Sequence, residues 1–216
     1  MSAFLGHIHF WLYNKIQRNI LREIELVKAI DESFDGLGTE LYEAPLSMYG
    51  APIPNDKDLA DIIDHSNIHG WLQEQIARGE IREATFIKDV NDTLGDDGNK
   101  LIFKTFYEHG LTAGKEAKEN LPDISAPSIY KTMQNYYLNG MPCDGGDVIL
   151  TTEDNLILWE GTHKNQLMNW KKSGAPTSLL TTCYQHWFKG FVDGIGEAFT
   201  FQVEEGNPPQ YSIKKA

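Results

Sequence analysis

Two cysteines and seven histidines carry most of the chemical reach of this chain. Cys143 stands in the run Gly140-Met141-Pro142-Cys143-Asp144-Gly145-Gly146. A thiol in a glycine-rich turn can approach a substrate, and free turn amides can support a developing anion. Attack needs the thiolate, hence a nearby histidine or positive dipole. No base is adjacent in sequence, so the alternative is a small packing residue behind Pro142. Cys183 lies one turn from both Leu180 and Trp187 on an apolar stripe. There it packs as a small hydrophobe or lines a pocket, with His186 at the rim.

His65 and His69 are spaced i, i+4, with Asp61 one turn earlier. On an unbroken helix they share a face and could ligate a metal. The flanking glutamate of a metalloprotease signature is missing, and a break expected between Asp64 and Asn67 would separate them; capping and packing are then their roles. His7 and His9 would share a face on a strand but diverge on a helix, where they could still line a pocket beside Trp11 and Asn14. Glu108 and His109 could supply a general base. Adjacent helical residues diverge by roughly 100°, so one of the two at most turns into a cleft. Asp144 to Asp147 lacks the length and distal glutamate of a calcium loop.

The elements that must position these groups follow from periodicity. Leu5, Ile8, Leu12, Ile16, Ile20, Ile24, Val27 and Ile30 predict one amphipathic helix over about 3–34. Residues 43–56, with Pro45, Pro52 and Pro54, read as a surface loop. Asn55 or Asp56 can cap the next helix, which breaks near Asp64 to Asn67, where Asp64 or Ser66 can cap again. Ile81 to Leu94 and Asn99 to about Glu119 are further helices, separated by Gly95-Asp96-Asp97-Gly98. Pro127 suits a first turn, opening a helix that runs to Asn139. The period then changes to two. Asp147–Thr152 and Leu156–Thr162 form one hairpin, Pro176 opens a helix ending at Gly194 and Gly196, and Ala198–Val203 with Gln210–Lys214 form a second hairpin. The expected fold is α+β: a single domain, residues 1–216, whose mainly helical part (1–139) packs on a four-stranded antiparallel sheet within 140–216.

Composition narrows the partners. The chain has 216 residues, 41% of them hydrophobic, which suffices for one substantial core. An aromatic share of 11% points to a bulky core or an apolar pocket wall. Net charge is −12, from 31 acidic and 19 basic residues, and Lys171-Lys172 and Lys214-Lys215 are the sole basic doublets. Nucleic acid and anionic membrane surfaces are therefore disfavoured. Met1 to Leu12 lacks the basic start of a signal peptide, and no apolar run reaches membrane-spanning length. Two distant cysteines without an export signal fit free thiols in a reducing cytoplasm.

The last 75 or so residues resemble the L-2-amino-thiazoline-4-carboxylic acid hydrolase-like family. The resemblance rests on Met141-Pro142 before the first hairpin, Cys183 early in its helix, Phe188 and Gly190 beyond it, and Phe199-Thr200-Phe201 opening the next strand. Leu111 to Lys115 is similar to a small-residue segment of the preceding helix. The order helix, hairpin, helix, hairpin is also similar to ligand-binding domains of the four-vinyl-reductase type. The resemblance implies hydrolytic opening of a small cyclic C–N or C–S compound, and Cys183 is the residue that carries over. Where family members have further cysteines near the last strand, this chain has Tyr211-Ser212.

Three readings follow. One is a cytoplasmic hydrolase with Cys143 as nucleophile, Glu108 or His109 as base, and Cys183, His186, Trp11, His7 and His9 lining the substrate pocket. The second is a non-catalytic small-molecule sensor. The third is a metal or haem protein using His65 and His69, with His7 or His9 as a further ligand. The sequence names no cofactor and leaves oligomeric assembly open.

Overall fold

The computed structural model describes residues 5–216. The chain is α+β, with seven α-helices and one four-stranded antiparallel sheet among the described residues. Helix α1 (His7–Ser33) realises the first amphipathic stripe; residues 3 and 4 of the expected helix lie outside the described residues. The stripe is only half inward. Leu12, Ile16, Ile20 and Ile30 are buried, whereas Ile8 and Ile24 are exposed. The buried face also carries Lys15, Asn19, Arg22 and Glu23.

The loop expected over 43–56 is instead largely helical. Helix α2 (Leu37–Tyr49) contains Pro45 in its interior. Its start is fixed by Asp31, which accepts from the Thr39 amide at 2.7 Å and the Thr39 hydroxyl at 2.6 Å. Burial of Tyr42 and Pro45 against the helical core offsets the lost backbone bond. Gly50, at φ +78°, ends the helix. Asp58, rather than Asn55 or Asp56, caps the short α3 (Leu59–Ile62). The expected break follows, but Asn67 caps the next helix while Asp64 holds the Ser66 amide and hydroxyl.

Helix α4 (Ile68–Lys118) runs through the boundary expected before Ile81, and Gly95 (φ 54°, ψ −132°) interrupts it for a single residue. Helix α5 (Ala126–Met133) starts at its Ser125 cap but ends six residues before Asn139. Strands β1 (Ile149–Glu153) and β2 (Leu156–Glu160) form the first hairpin. Helix α6 (Leu167–Ser173) has no counterpart among the expected elements. Helix α7 (Thr177–Ile195) leads into β3 (Phe199–Glu204) and β4 (Gln210–Lys215). The strand order is β1-β2-β4-β3, so the two hairpins join through β2 and β4.

Helices α4 and α7 cross as a glycine seam. A Cβ on Gly110 or Gly114 would strike the carbonyls of Trp187 or Phe191, and one on Gly190 or Gly194 those of Tyr107 or Leu111. Paired i, i+4 glycines on both helices let the backbones touch. Beyond the seam, Trp159, Tyr211, Phe188 and Phe191 are buried between helices and sheet, with Trp159 5.8 Å from Tyr211 and 6.2 Å from Phe188, ring to ring. The aromatic residues therefore pack on one another there. Among the described residues no helix is long and apolar enough to cross a membrane.

Candidate functional site: a buried polar array between α1, α4 and α6

The residues singled out in the sequence do not gather at one place. Cys143 is exposed in a 3-10 turn, Pro142–Asp144, and Cys183 is fully buried; both are free thiols. Burial pushes the Cys183 thiol far up and keeps it protonated. Glu108 and His109 diverge as helical geometry requires. Glu108 is exposed, and buried His109 accepts from Trp187 Nε1 at 2.8 Å through Nδ1. Burial first, then Arg22 and Arg18, bring His109 down to about 3, so it stays neutral. His186 stacks on Phe103 at 4.9 Å. Trp11 Nε1 donates to Asn135 at 3.0 Å, and His7 is exposed.

The break before α4 also separates the expected metal pair: His65 Nε2 lies 2.8 Å from the Ala60 carbonyl, while His69 faces His9, Nε2 to Nε2, at 3.2 Å. The Gly6 amide donates to His9 Nδ1 at 3.0 Å. The hydrogen of neutral His9 is therefore on Nε2 and points at His69, which is the wrong tautomer for a shared metal. Among the described residues, no three His, Cys, Asp or Glu side chains converge on a metal position.

Sequence reasoning missed the most polar part of the interior. Asn19 and Arg22 on α1 share a face with Lys15 one turn earlier, and Arg22 meets Glu83 on α4, one turn after Glu80. Arg22 is bidentate to Glu83, Nε to Oε1 at 2.8 Å and Nη2 to Oε2 at 2.7 Å, and Nη2 also donates to Asn19 Oδ1 and the Tyr184 hydroxyl. A second pair, Arg82 with Glu23, is equally buried and joined by Tyr42. Helix α6 adds Gln166 at its N-cap and Asn169 one turn on. Asn169 Nδ2 donates to Glu80 Oε2 at 2.7 Å. Gln166 Nε2 donates to the Tyr137 hydroxyl at 2.8 Å and the Leu138 carbonyl at 2.9 Å. The Tyr137 hydroxyl lies 3.2 Å from His163 Nδ1, and His163 Nε2 lies 3.1 Å from the Tyr211 hydroxyl.

Four atoms of this array have no partner within the protein: Glu80 Oε1, Asn169 Oδ1, Gln166 Oε1 and Asn19 Nδ2. Their residues are at most 3% exposed. Buried polar atoms are nearly always paired, and an unpaired one costs about 1–3 kcal/mol. Burial raises Glu80 to about 8; Asn169 and Arg22 oppose the shift, while Glu83 and Asp144 add to it. Lys15, also 3% exposed, lies over the Trp11 ring at 4.0 Å, and burial lowers it to about 8 against the pull of Asp147. A carboxyl that titrates near neutrality can hold or release a proton. Complementary charge was the available signal: Arg22 and Glu23 on one helix match Glu83 and Arg82 on another.

The fold and site thus define an α+β protein with a polar array enclosed between α1, α4 and α6. No protein-family model, curated protein or solved structure matches the chain. The likeness to the thiazoline-carboxylate hydrolase-like family rests on the quoted residues alone.

Proposed function

We propose that this protein binds a small polar molecule in the array between α1, α4 and α6, as a non-catalytic binding domain and not as a thiol enzyme. One observation carries this reading: Glu80, Asn169, Gln166 and Asn19, contributed by three helices, each keep a buried hydrogen-bonding atom without a partner. A ligand bearing both donors and acceptors would offset the desolvation of all four. A thiol mechanism has less support, since Cys183 is buried and protonated and no histidine lies in hydrogen-bonding distance of Cys143.

The test is a thermal-shift screen with small polar compounds. Saturating ligand, at a hundredfold excess over Kd, should stabilise by about 2.7 kcal/mol. Asn169→Leu removes both amide contacts and should abolish the shift. Stabilisation that survives Asn169→Leu and Glu80→Gln would overturn the reading.

Hydrolysis of a small cyclic C–N or C–S compound is the second reading. Glu80 favours it, because a carboxyl titrating near 8 is poised as general acid or base. Product accumulating with time in the presence of a stabilising compound, and lost in Glu80→Gln, would replace binding by turnover.

A further inference from the structure

We infer that His9 and His69 form a proton-operated latch, which fastens the first turn of α1 to the first turn of α4 and releases it in acid. The latch lies apart from the polar array and does not depend on the binding reading.

Hydrogen bonds occupy both basic nitrogens of the pair. His9 Nδ1 accepts from the Gly6 amide at 3.0 Å, which places the His9 hydrogen on Nε2. That hydrogen points at His69 Nε2, 3.2 Å away, so His69 accepts there and carries its own hydrogen on Nδ1. The ring centroids lie 5.3 Å apart. An added proton has two places to go. On His9 Nδ1 it displaces the Gly6 amide and uncaps α1. On His69 Nε2 it sets N–H against N–H and breaks the link to α4. A second proton would place two cations side by side.

The surroundings supply nothing to hold such a charge. Gly6 is the N-cap of α1 and Asn67 that of α4, which makes His9 third and His69 second in their helices. Both rings therefore sit at positive helix ends, where a cation is disfavoured, and neither first turn contains an acidic residue. Of the titratable groups near the pair, His7 on α1 is exposed, His65 is held on the Ala60 carbonyl, and Asp64 is engaged by Ser66. No carboxylate lies within ion-pair distance of either ring among the described residues. Burial first, then His69, holds His9 below its ordinary value of 6.5. The contact is thus complete above pH 6.5 and is lost as pH falls through the lower folded value. His69 is exposed, so protons reach the pair without prior unfolding. Release frees a segment whose Leu5 packs on the apolar cluster that includes Leu12, Ile68 and Leu72.

Ring-nitrogen NMR at pH 7.5 should show opposite tautomers, Nε2–H on His9 and Nδ1–H on His69, with or without a chelator. Hydrogen exchange over residues 6–12, corrected for its intrinsic pH dependence, should quicken by about three- to tenfold between pH 7.5 and 5.5. Core amides of α7 should keep their protection over the same range. His69→Glu tests the cause, because a carboxylate accepts from His9 Nε2–H and also holds a His9 cation. In that variant acidification should leave exchange of the segment unchanged or slow it. Matching tautomers, constant wild-type exchange, equal quickening in α7, or equal quickening in His69→Glu would overturn the latch. Loss of the contact when chelator is added at pH 7.5 would overturn it too, by giving the pair to a metal.

Discussion

Asn169 Nδ2 donates to Glu80 Oε2 at 2.7 Å, and the other polar atom of each side chain, Asn169 Oδ1 and Glu80 Oε1, is buried without a partner in the protein. The bond ties a seven-residue helix to the longest helix of the fold and leaves the carboxyl half-solvated by protein. The proton that settles on Glu80 near neutrality follows from that shortfall.

Glu80 therefore links stability to pH. Its folded value, about 8, is above the ordinary value of 4.5, so between these limits the folded chain holds a proton that the unfolded chain has released. The stabilisation from the protonated form is fully present below about pH 4.5 and is lost as pH rises through 8. The limiting slope is about 1.4 kcal/mol per pH unit. Denaturant unfolding of wild type and Glu80→Gln from pH 5 to 9 should show the wild type losing stability relative to the variant across that window. Parallel curves would mean that Glu80 does not titrate there.

The Arg22–Glu83 pair should be far more sensitive to halving than to removal. Both side chains are about 5% exposed, and the fork is bidentate. Arg22→Met leaves Glu83 buried without a counter-charge and should cost about 3–5 kcal/mol. Arg22→Met with Glu83→Leu removes both charges and should recover most of that loss. Chemical denaturation of the two single variants and the double variant checks this; simple addition of the single costs would show that the pair is not coupled.

The two thiols should behave as different chemical species. A thiol reagent such as a maleimide should modify exposed Cys143 rapidly and reach fully buried Cys183 only on unfolding. Cys143→Ser should change stability by less than about 0.5 kcal/mol, whereas Cys183→Ala leaves a small cavity beside Tyr184 and Trp187 and should cost about 1–2 kcal/mol. Mass spectrometry of the native protein after brief labelling counts the adducts. Two rapid adducts would place Cys183 on an open surface.

The α+β architecture was legible because its signals are local: alternation in Leu156–Glu160 and Gln210–Lys215, and caps such as Ser125. Helix α2 was hidden by Pro45, whose lost bond is offset by burial that no local rule registers. Helix α6 is too short to show a period. The polar array was illegible for a deeper reason. Periodicity assumes that polar residues face outward, whereas α1 turns Arg22 and Glu23 inward and leaves Ile24 exposed. That choice is made by partners about 60 residues away in the chain, Arg82 and Glu83.

His163 gives a pH dependence of opposite sign to that of Glu80. It is boxed by Tyr137, Tyr184, Trp170, Phe188 and Tyr211, and burial brings it down to about 4 from 6.5. A neutral imidazole serves one tyrosine hydroxyl as donor and the other as acceptor; a second proton would put a charge among aromatic rings with no carboxylate in hydrogen-bonding distance. Between pH 6.5 and 4 the unfolded chain takes up a proton that the folded chain refuses, so this stabilisation is complete above 6.5 and is lost as pH falls toward 4. His109, brought down to about 3, adds to the same loss. His163→Asn suits the site's φ of +45° and removes one of the two titrations. Its stability should fall less steeply with acid than the wild type's, by up to about 1.4 kcal/mol per pH unit. Unfolding midpoints measured at intervals from pH 7 to 4 read that difference, and an unchanged acid limb would mean that His163 is already protonated in the folded chain.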